Sequence, residues 1–408
     1  MHRPALRRAT AAILALSAAS ALAAGPMHAQ GGTWGTVFTD AARIGAPDWV
    51  TPGTRIVWHV ASASVAGSRY RYEEDPSGPY VQRSTGKHYR RIEESADEPF
   101  GRGSGEGLLA VDVQSVGPDQ VVTSASLYVL DRARGGALTY VPIGGGPEPS
   151  GALDAVWLHP AILEGLAAAG TGPGMDVYAG PYPLDGVDHD TIVLAAGPQH
   201  LTFDRASGLL LVGTSGARET TLQVHLPGED PATGRSMLTH QRLLGVRQRA
   251  MAGTGAPVPD WLRQGASLVY EGSYTLLGSA IPARLTLTAE AVGPDWARFH
   301  ALHETAAYGI TSTNEARAVS GGTGPFWYDP AALAGMQMGD VLDEDPILGT
   351  RTRVADAGEW QGGRHVVIVT EGPGMAVWFD HDVATGVAIG YELHQGDAID
   401  SFRLTAMP

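Results

Sequence analysis

A chain of 408 residues with a formal net charge of −15, 43% hydrophobic residues and no cysteine is long enough for two domains of ordinary size. Without cysteine, such domains hold themselves together by buried apolar surface rather than by disulfides. The acidic balance speaks against nucleic acid or another polyanion as partner.

Residues 1–29 read as a secretory signal: Arg3, Arg7 and Arg8 precede an apolar run over 9–22, and small residues follow around Ala21-Leu22-Ala23. Its removal leaves an even more acidic chain, expected in the periplasm or outside the cell. No other run approaches the ~18 apolar residues of a membrane helix, so no transmembrane segment is expected in the mature form.

After a short helix expected in 31–45, the first landmark is Pro47-Asp48-Trp49, and it returns as Pro259-Asp260-Trp261. Gly53 matches Gly265, and Ile56-Val57-Trp58 matches Leu268-Val269-Tyr270. Self-similarity at this period means two copies of one domain. The first copy then carries about 36 extra residues, in the segment 67–107, before Gly117-Pro118-Asp119 realigns with Gly293-Pro294-Asp295. This insertion reads as a long hairpin or surface excursion. Alternating stretches on both sides of each Gly-Pro-Asp turn, 108–116 with 120–130 and 285–292 with 296–303, predict antiparallel hairpins.

Trp157-Leu158-His159-Pro160 matches Trp327-Tyr328-Asp329-Pro330, predicting one short helix per copy, with His159 and Asp329 as caps before a proline. Proline and glycine argue against a long element in 177–184 and 341–354. Strand pairs follow at 191–195 with 200–203 and at 366–370 with 376–379. Turns at Asp204 to Gly208 and Asp380 to Gly386 lead on to 209–212 and 387–391. The last shared strand is expected at 220–226 and 400–406, while 236–251 reads as a final strand or a basic amphipathic helix. The result is a mostly β (α+β) protein: a first repeat over 46–250, a second over 257–408, each an antiparallel, half-barrel-like sheet with one short helix.

Residues shared by the copies are expected to serve the fold. Asp48/Asp260, Asp119/Asp295 and Asp204/Asp380 fall in turns, where a carboxylate bonds its own backbone. Trp49/Trp261 and Trp157/Trp327 read as core anchors. The nucleophile elbow, the phosphate loop, the dinucleotide fingerprint and the helical zinc motif are all missing from the sequence. Asp188, His189 and Asp190 form an acidic-histidine cluster that would be the acid/base site of a hydrolase. Adjacent strand residues face opposite sides, however, so the cluster is not expected to hold a metal, and no cofactor is implied. The insertion carries Tyr70, Tyr72, Tyr80, Tyr89, Arg90 and Arg91, side chains that give large contact area at small entropic cost.

The segment Phe203-Asp204-Arg205-Ala206-Ser207-Gly208 and its counterpart from Phe379-Asp380 to Gly386, with a signal segment and one helix per copy, resemble bacterial carriers of the outer-membrane lipoprotein-carrier type. That resemblance implies incomplete antiparallel barrels whose concave face takes a lipid. The expectation from the residues is a non-enzymatic exported protein that binds an apolar ligand or an envelope component. A hydrolase acting through Asp188 or His189, and a structural surface protein, are the alternatives.

Overall fold

The computed structural model describes residues 44–408 apart from 65–67, 78–79, 83–86, 96–104, 132–135, 154–155, 170–175, 197–198, 219–235, 277–278, 308–309, 361 and 397. The signal over 1–29, all but the end of the helix expected in 31–45, and the strand expected at 220–226 lie outside the described residues.

The first copy runs through β1 (Thr54–Ser64), β2 (Ser68–Glu74), β3 (Tyr80–Gln82), β4 (Lys87–Ser95), β5 (Gly105–Val116), β6 (Gln120–Asp131), β7 (Ala137–Pro149), β8 (Ala152–Leu153), β9 (Trp157–Leu158), helix α1 (Pro160–Ala169), β10 (Asp176–Leu184), β11 (Val187–Ala196), β12 (Gln199–Asp204), β13 (Leu210–Arg218) and β14 (Ser236–Gln248). The second has β15 (Ser267–Leu276), β16 (Ser279–Val292), β17 (Trp296–Ala307), β18 (Ile310–Gly321), helix α2 (Pro330–Gly335), β19 (Val341–Asp345), β20 (Thr350–Trp360), β21 (Gly363–Gly372), β22 (Met375–Asp382), β23 (Ala388–Gln395) and β24 (Ala398–Ala406). The protein is mostly β, with two antiparallel sheets in tandem.

Both sheets have one strand order. The first reads β7-β6-β5-β1-β14-β13-β12-β11-β10, and the second reads β18-β17-β16-β15-β24-β23-β22-β21-β20 with β19 added at the end. Each copy therefore closes its chain in the middle of its sheet, where first and last strands pair: β1 with β14, and β15 with β24.

The repeated landmarks make equivalent bonds. Gly117 N–H donates to Gln120 O and Gly293 N–H to Trp296 O, closing the two Gly-Pro-Asp hairpins. Trp49 Nε1 donates to Ser207 O and Trp261 Nε1 to Thr385 O; Trp58 Nε1 reaches Leu210 O, and Tyr270 Oη reaches Ala388 O. Ser207 N–H and Oγ donate to Asp204 Oδ2, as Thr385 N–H and Oγ1 do to Asp382 Oδ2. The turn aspartate equivalent to Asp204 is thus Asp382, which corrects the pairing with Asp380. An alignment on Phe-Asp alone falls two residues short, because the second turn ends Asp-x-x-Thr-Gly at Asp382.

Glycine is required after these turns: Gly208 and Gly386 have φ of 75° and 74°. A Cβ on either would lie 2.1 Å from the carbonyl oxygen of Leu158 or Tyr328. His159 Nδ1 accepts from Ala161 N–H, and the Asp329 carboxylate accepts from Ala331 and Ala332 N–H, so both expected caps hold their helices. Trp157 and Trp327, with Leu163 and Leu333 on the helices, are fully buried where the crossover covers one face of each sheet.

Other expectations are corrected. Segment 236–248 is strand β14, the partner of β1, and it stands where β24 stands in the second copy. Strand β10 forms despite Gly180, Pro181 and Pro183 because it is an edge, where a missing N–H breaks no ladder. Edge strands β7 and β18 carry Gly144-Gly145-Gly146-Pro147 and Thr313-Asn314-Glu315, patterns that alternation does not reveal.

The copies share a core. Val57, Ala110, Tyr128 and Leu138 of the first sheet pack with Leu348, Met375 and Val377 of the second in one buried cluster, and Val122 packs with Trp296 and Val319. Leu138 N–H donates to Pro373 O at 2.7 Å, and Ser115 Oγ donates to Asp295 Oδ1 at 2.8 Å across the same boundary.

Candidate functional site

Strands β1 and β5 pair as far as Ser62 with Gly105. The chain between them forms a separate sheet, β2-β4-β3. Among the described residues its strands pair only with one another, and this small sheet is the flap of the first copy. In the second copy the equivalent strands meet directly in a hairpin, Leu276 opposite Ser279.

Backbone register places the residues of the flap. Tyr70 is opposite Glu93, Tyr72 opposite Arg91, Glu74 opposite Tyr89, and Tyr89 opposite Tyr80. Opposed residues, and those two apart on one strand, share a face. Tyr70, Tyr72, Tyr80, Tyr89 and Arg91 therefore belong to one face and Arg90 to the other. The tyrosine positions make a diagonal band, ~6.8 Å per step along a strand and ~4.8 Å between strands.

The acid/base candidates sit on β11. Asp188 and Asp190 share a face and His189 takes the opposite one. His189 Nδ1 is 3.2 Å from Asp204 Oδ1, while the other Asp204 oxygen takes the Ser207 N–H and hydroxyl. Asp190 lies 3.6 Å from Arg205, which is also paired with Glu164. The Ser207 hydroxyl is thus spent on the turn carboxylate, not turned toward the imidazole. The pair His189–Asp204 chemically braces a turn.

Sequence reasoning missed a cluster of three arginines and three aspartates between the copies. Arg55 donates through Nε and Nη2 to both oxygens of Asp112, at 2.6 and 2.7 Å, and through Nη1 to Asp345 at 3.1 Å. Arg247 donates to Asp343 and Asp345, and Arg249 to Asp343, with Asp112 at 3.4 Å from its other arm. Asp345 is wholly buried and also accepts the N–H groups of Ile347 and Leu348. Burial would raise the Asp112 carboxyl, but Arg55 and Arg249 overcome it and hold the group at about 2. Asp345 is likewise lowered: its burial is outweighed by the Leu348 N–H and by Arg55. The equivalent positions in the second copy are Ser267 and Thr288, hydrogen-bonded hydroxyls at 3.0 Å. Asp343 and Asp345 belong to β19, a strand with no counterpart among the described residues of the first copy.

The second sheet curls strongly. His303 on β17 and Phe402 on β24 have β16 and β15 between them, ~14 Å across a flat sheet, yet their rings are 5.7 Å apart. On the concave face so formed, Tyr391 stacks on Phe402 and Phe379. One flank is covered by the first copy, where Gln395 Nε2 donates to Tyr140 O at 2.9 Å. Beyond it, Tyr274, Asp400 and Leu393 lie side by side across β15, β24 and β23. Asp400 Oδ1 is buried without a hydrogen-bond partner, and burial raises the carboxyl to about 6.

Compared with protein-family models, curated proteins and solved structures, the chain matches none. Function therefore rests on these residues. Among the described residues no three histidine or carboxylate groups converge as metal ligands do, and no helix is long and apolar enough to cross a membrane.

Proposed function

We propose that this is an exported, non-enzymatic binding protein in which two locked copies of one sheet form a frame and the flap of the first copy takes an envelope component or an apolar ligand. The supporting observation is the register of the flap, which gathers Tyr70, Tyr72, Tyr80, Tyr89 and Arg91 on one face of a sheet that the second copy lacks. Tyrosine and arginine on one face of a small sheet suit contact with a large surface, since they bring area with few rotors to immobilise. Arg90, on the opposite face, contributes to the flap rather than to the contact. The geometry around His189 favours turn bracing over acid/base chemistry, because Asp204 already caps the turn through Ser207.

The reading is tested by co-sedimentation of purified protein with isolated envelope fractions, comparing the native chain with one in which 67–104 is replaced by a short glycine turn and with Tyr72→Ser/Tyr89→Ser. Binding by the native chain alone is expected. Equal sedimentation of all three proteins contradicts it.

A further inference from the structure

The end of the concave face in the second copy has an electrostatic mismatch. Asp400 sits between Tyr274 and Leu393, and the ring of Phe402 is two residues on along the same strand. Around it the aromatic groups form a continuous lining: Tyr391 is stacked on Phe402 at 6.0 Å, and the His303 ring meets Phe402 edge-on at 5.7 Å.

Basic side chains of the adjoining strands belong to the other face: Arg403 pairs with Asp380 and Arg298 with Glu290, and Arg284 is opposite Glu271 in the ladder. The titratable groups next to Asp400 are Tyr274 and Tyr391; His303 meets Phe402 on the same face of the sheet, and Tyr140 of β7 adjoins Tyr391. Burial raises both Tyr274 and Tyr391 and lowers His303, so all three stay neutral near neutral pH. Among the described residues the carboxylate has no counter-ion, and one of its oxygens has no hydrogen bond.

A buried carboxylate among aromatic rings is poorly placed alone, and carboxylate and rings attract the same thing: a cation of low hydration. Unpaired buried polar groups call for an explanation by a missing partner. The first copy has no such arrangement, since Leu127 and Thr239 occupy the register positions of His303 and Asp400. The feature is therefore not a demand of the fold. It lies at the end of the sheet that, in the first copy, carries the flap.

We infer that Asp400, Tyr274, His303 and Phe402 form a second binding site, in the second copy, for an organic ammonium group, held by the carboxylate and the aromatic lining together. The site does not depend on the flap. The probe is benzyltrimethylammonium, whose charge does not change with pH, with benzyl alcohol as the neutral comparison, each titrated calorimetrically into the full chain. Binding of the ammonium is expected at about pH 7.5, with an affinity falling at least tenfold by about pH 5 as Asp400 takes up its proton. Asp400→Asn should lose binding at least tenfold at about pH 7.5 while melting no lower than the native chain, because it removes a buried charge. His303→Leu, the residue at the equivalent position of the first copy, should keep the pH dependence. Binding that is equal at the two pH values, equal for benzyl alcohol, or absent at millimolar probe overturns the inference. The pH comparison uses the native chain, so a misfolded variant would not shield it.

Discussion

The two copies differ in a revealing way. Where they agree, the agreement is in turns and anchors: Asp204 with Ser207 and Asp382 with Thr385, Trp49 and Trp261, Gly208 and Gly386. Where they differ, the first has gained a flap and the second a strand, β19, that carries two aspartates into the arginines of the first. Shared residues hold each sheet; the buried arginine–aspartate network that joins the sheets is unshared, although Asp295, a shared landmark, also accepts from Ser115 across the boundary. Where the two copies meet through unlike surfaces they need unlike side chains, and the arginines of the first copy with Asp343 and Asp345 of the second supply them.

The largest way to break this arrangement is Asp345→Ala. It takes one carboxylate from Arg55 and Arg247, which keep only Asp112 and Asp343, and leaves the Ile347 and Leu348 N–H groups without their acceptor; loss of one partner from such a network costs about 3–5 kcal/mol. Urea unfolding of the full chain checks this. The native chain should also fail in acid. Asp112 titrates at about 2 when folded, below its unfolded value of about 3.9. As pH falls, the unfolded chain takes up the proton first, so the stabilisation is complete above about pH 4 and drains away toward 2, roughly 2–3 kcal/mol for this residue alone.

His381 sharpens the comparison. It is fully buried where the first copy has Phe203, burial lowers it to about 4 against a hydrogen bond to Gly386 O, and Tyr328 meets it edge-on. A depressed histidine is stabilising while neutral and loses that contribution as pH falls from about 6.5 through 4. Asp400 has the opposite sign: its raised carboxyl binds a proton in the folded state first, and stability rises as pH falls through about 6. In the native chain the two slopes oppose each other. His381→Phe should be within about 1 kcal/mol of native at pH 7 and more stable by roughly 3 kcal/mol near pH 4, read from urea midpoints at both pH values.

Gly208→Ala and Gly386→Ala should cost similar amounts, about 1–3 kcal/mol each, because both place a Cβ against a carbonyl at positive φ. Unequal costs by urea unfolding would show that the two turns are not equivalent. The smallest effect is expected from replacing 67–104 by a glycine turn, within about 0.5 kcal/mol by thermal melting, since the second copy closes the equivalent strands by a short hairpin.

Much of each sheet was legible because its signals are local. Gly-Pro-Asp makes its turn wherever it occurs, and His159 or Asp329 before a proline caps a helix with atoms two or three residues away. Strands β7 and β18 were not legible, because a run such as Gly144-Gly145-Gly146-Pro147 reads as a loop until an edge accepts it. The lock was invisible for another reason. Arg55 and Asp345 are 290 positions apart, and nothing near either one says that it will be buried. Asp400 likewise reads as an ordinary polar member of an alternating strand, and its lack of a partner appears only when the sheet has curled. For the flap, the tyrosines were visible in the sequence, but their common face required the register.

The joining of two equivalent sheets by inequivalent residues makes one cooperative body out of a duplication, and scanning calorimetry of the intact chain tests it directly. The shared cluster of Val57, Ala110, Leu138, Leu348 and Met375 and the buried arginine–aspartate network should give a single transition whose calorimetric and van't Hoff enthalpies agree. Two separable transitions, one for each copy, would contradict it.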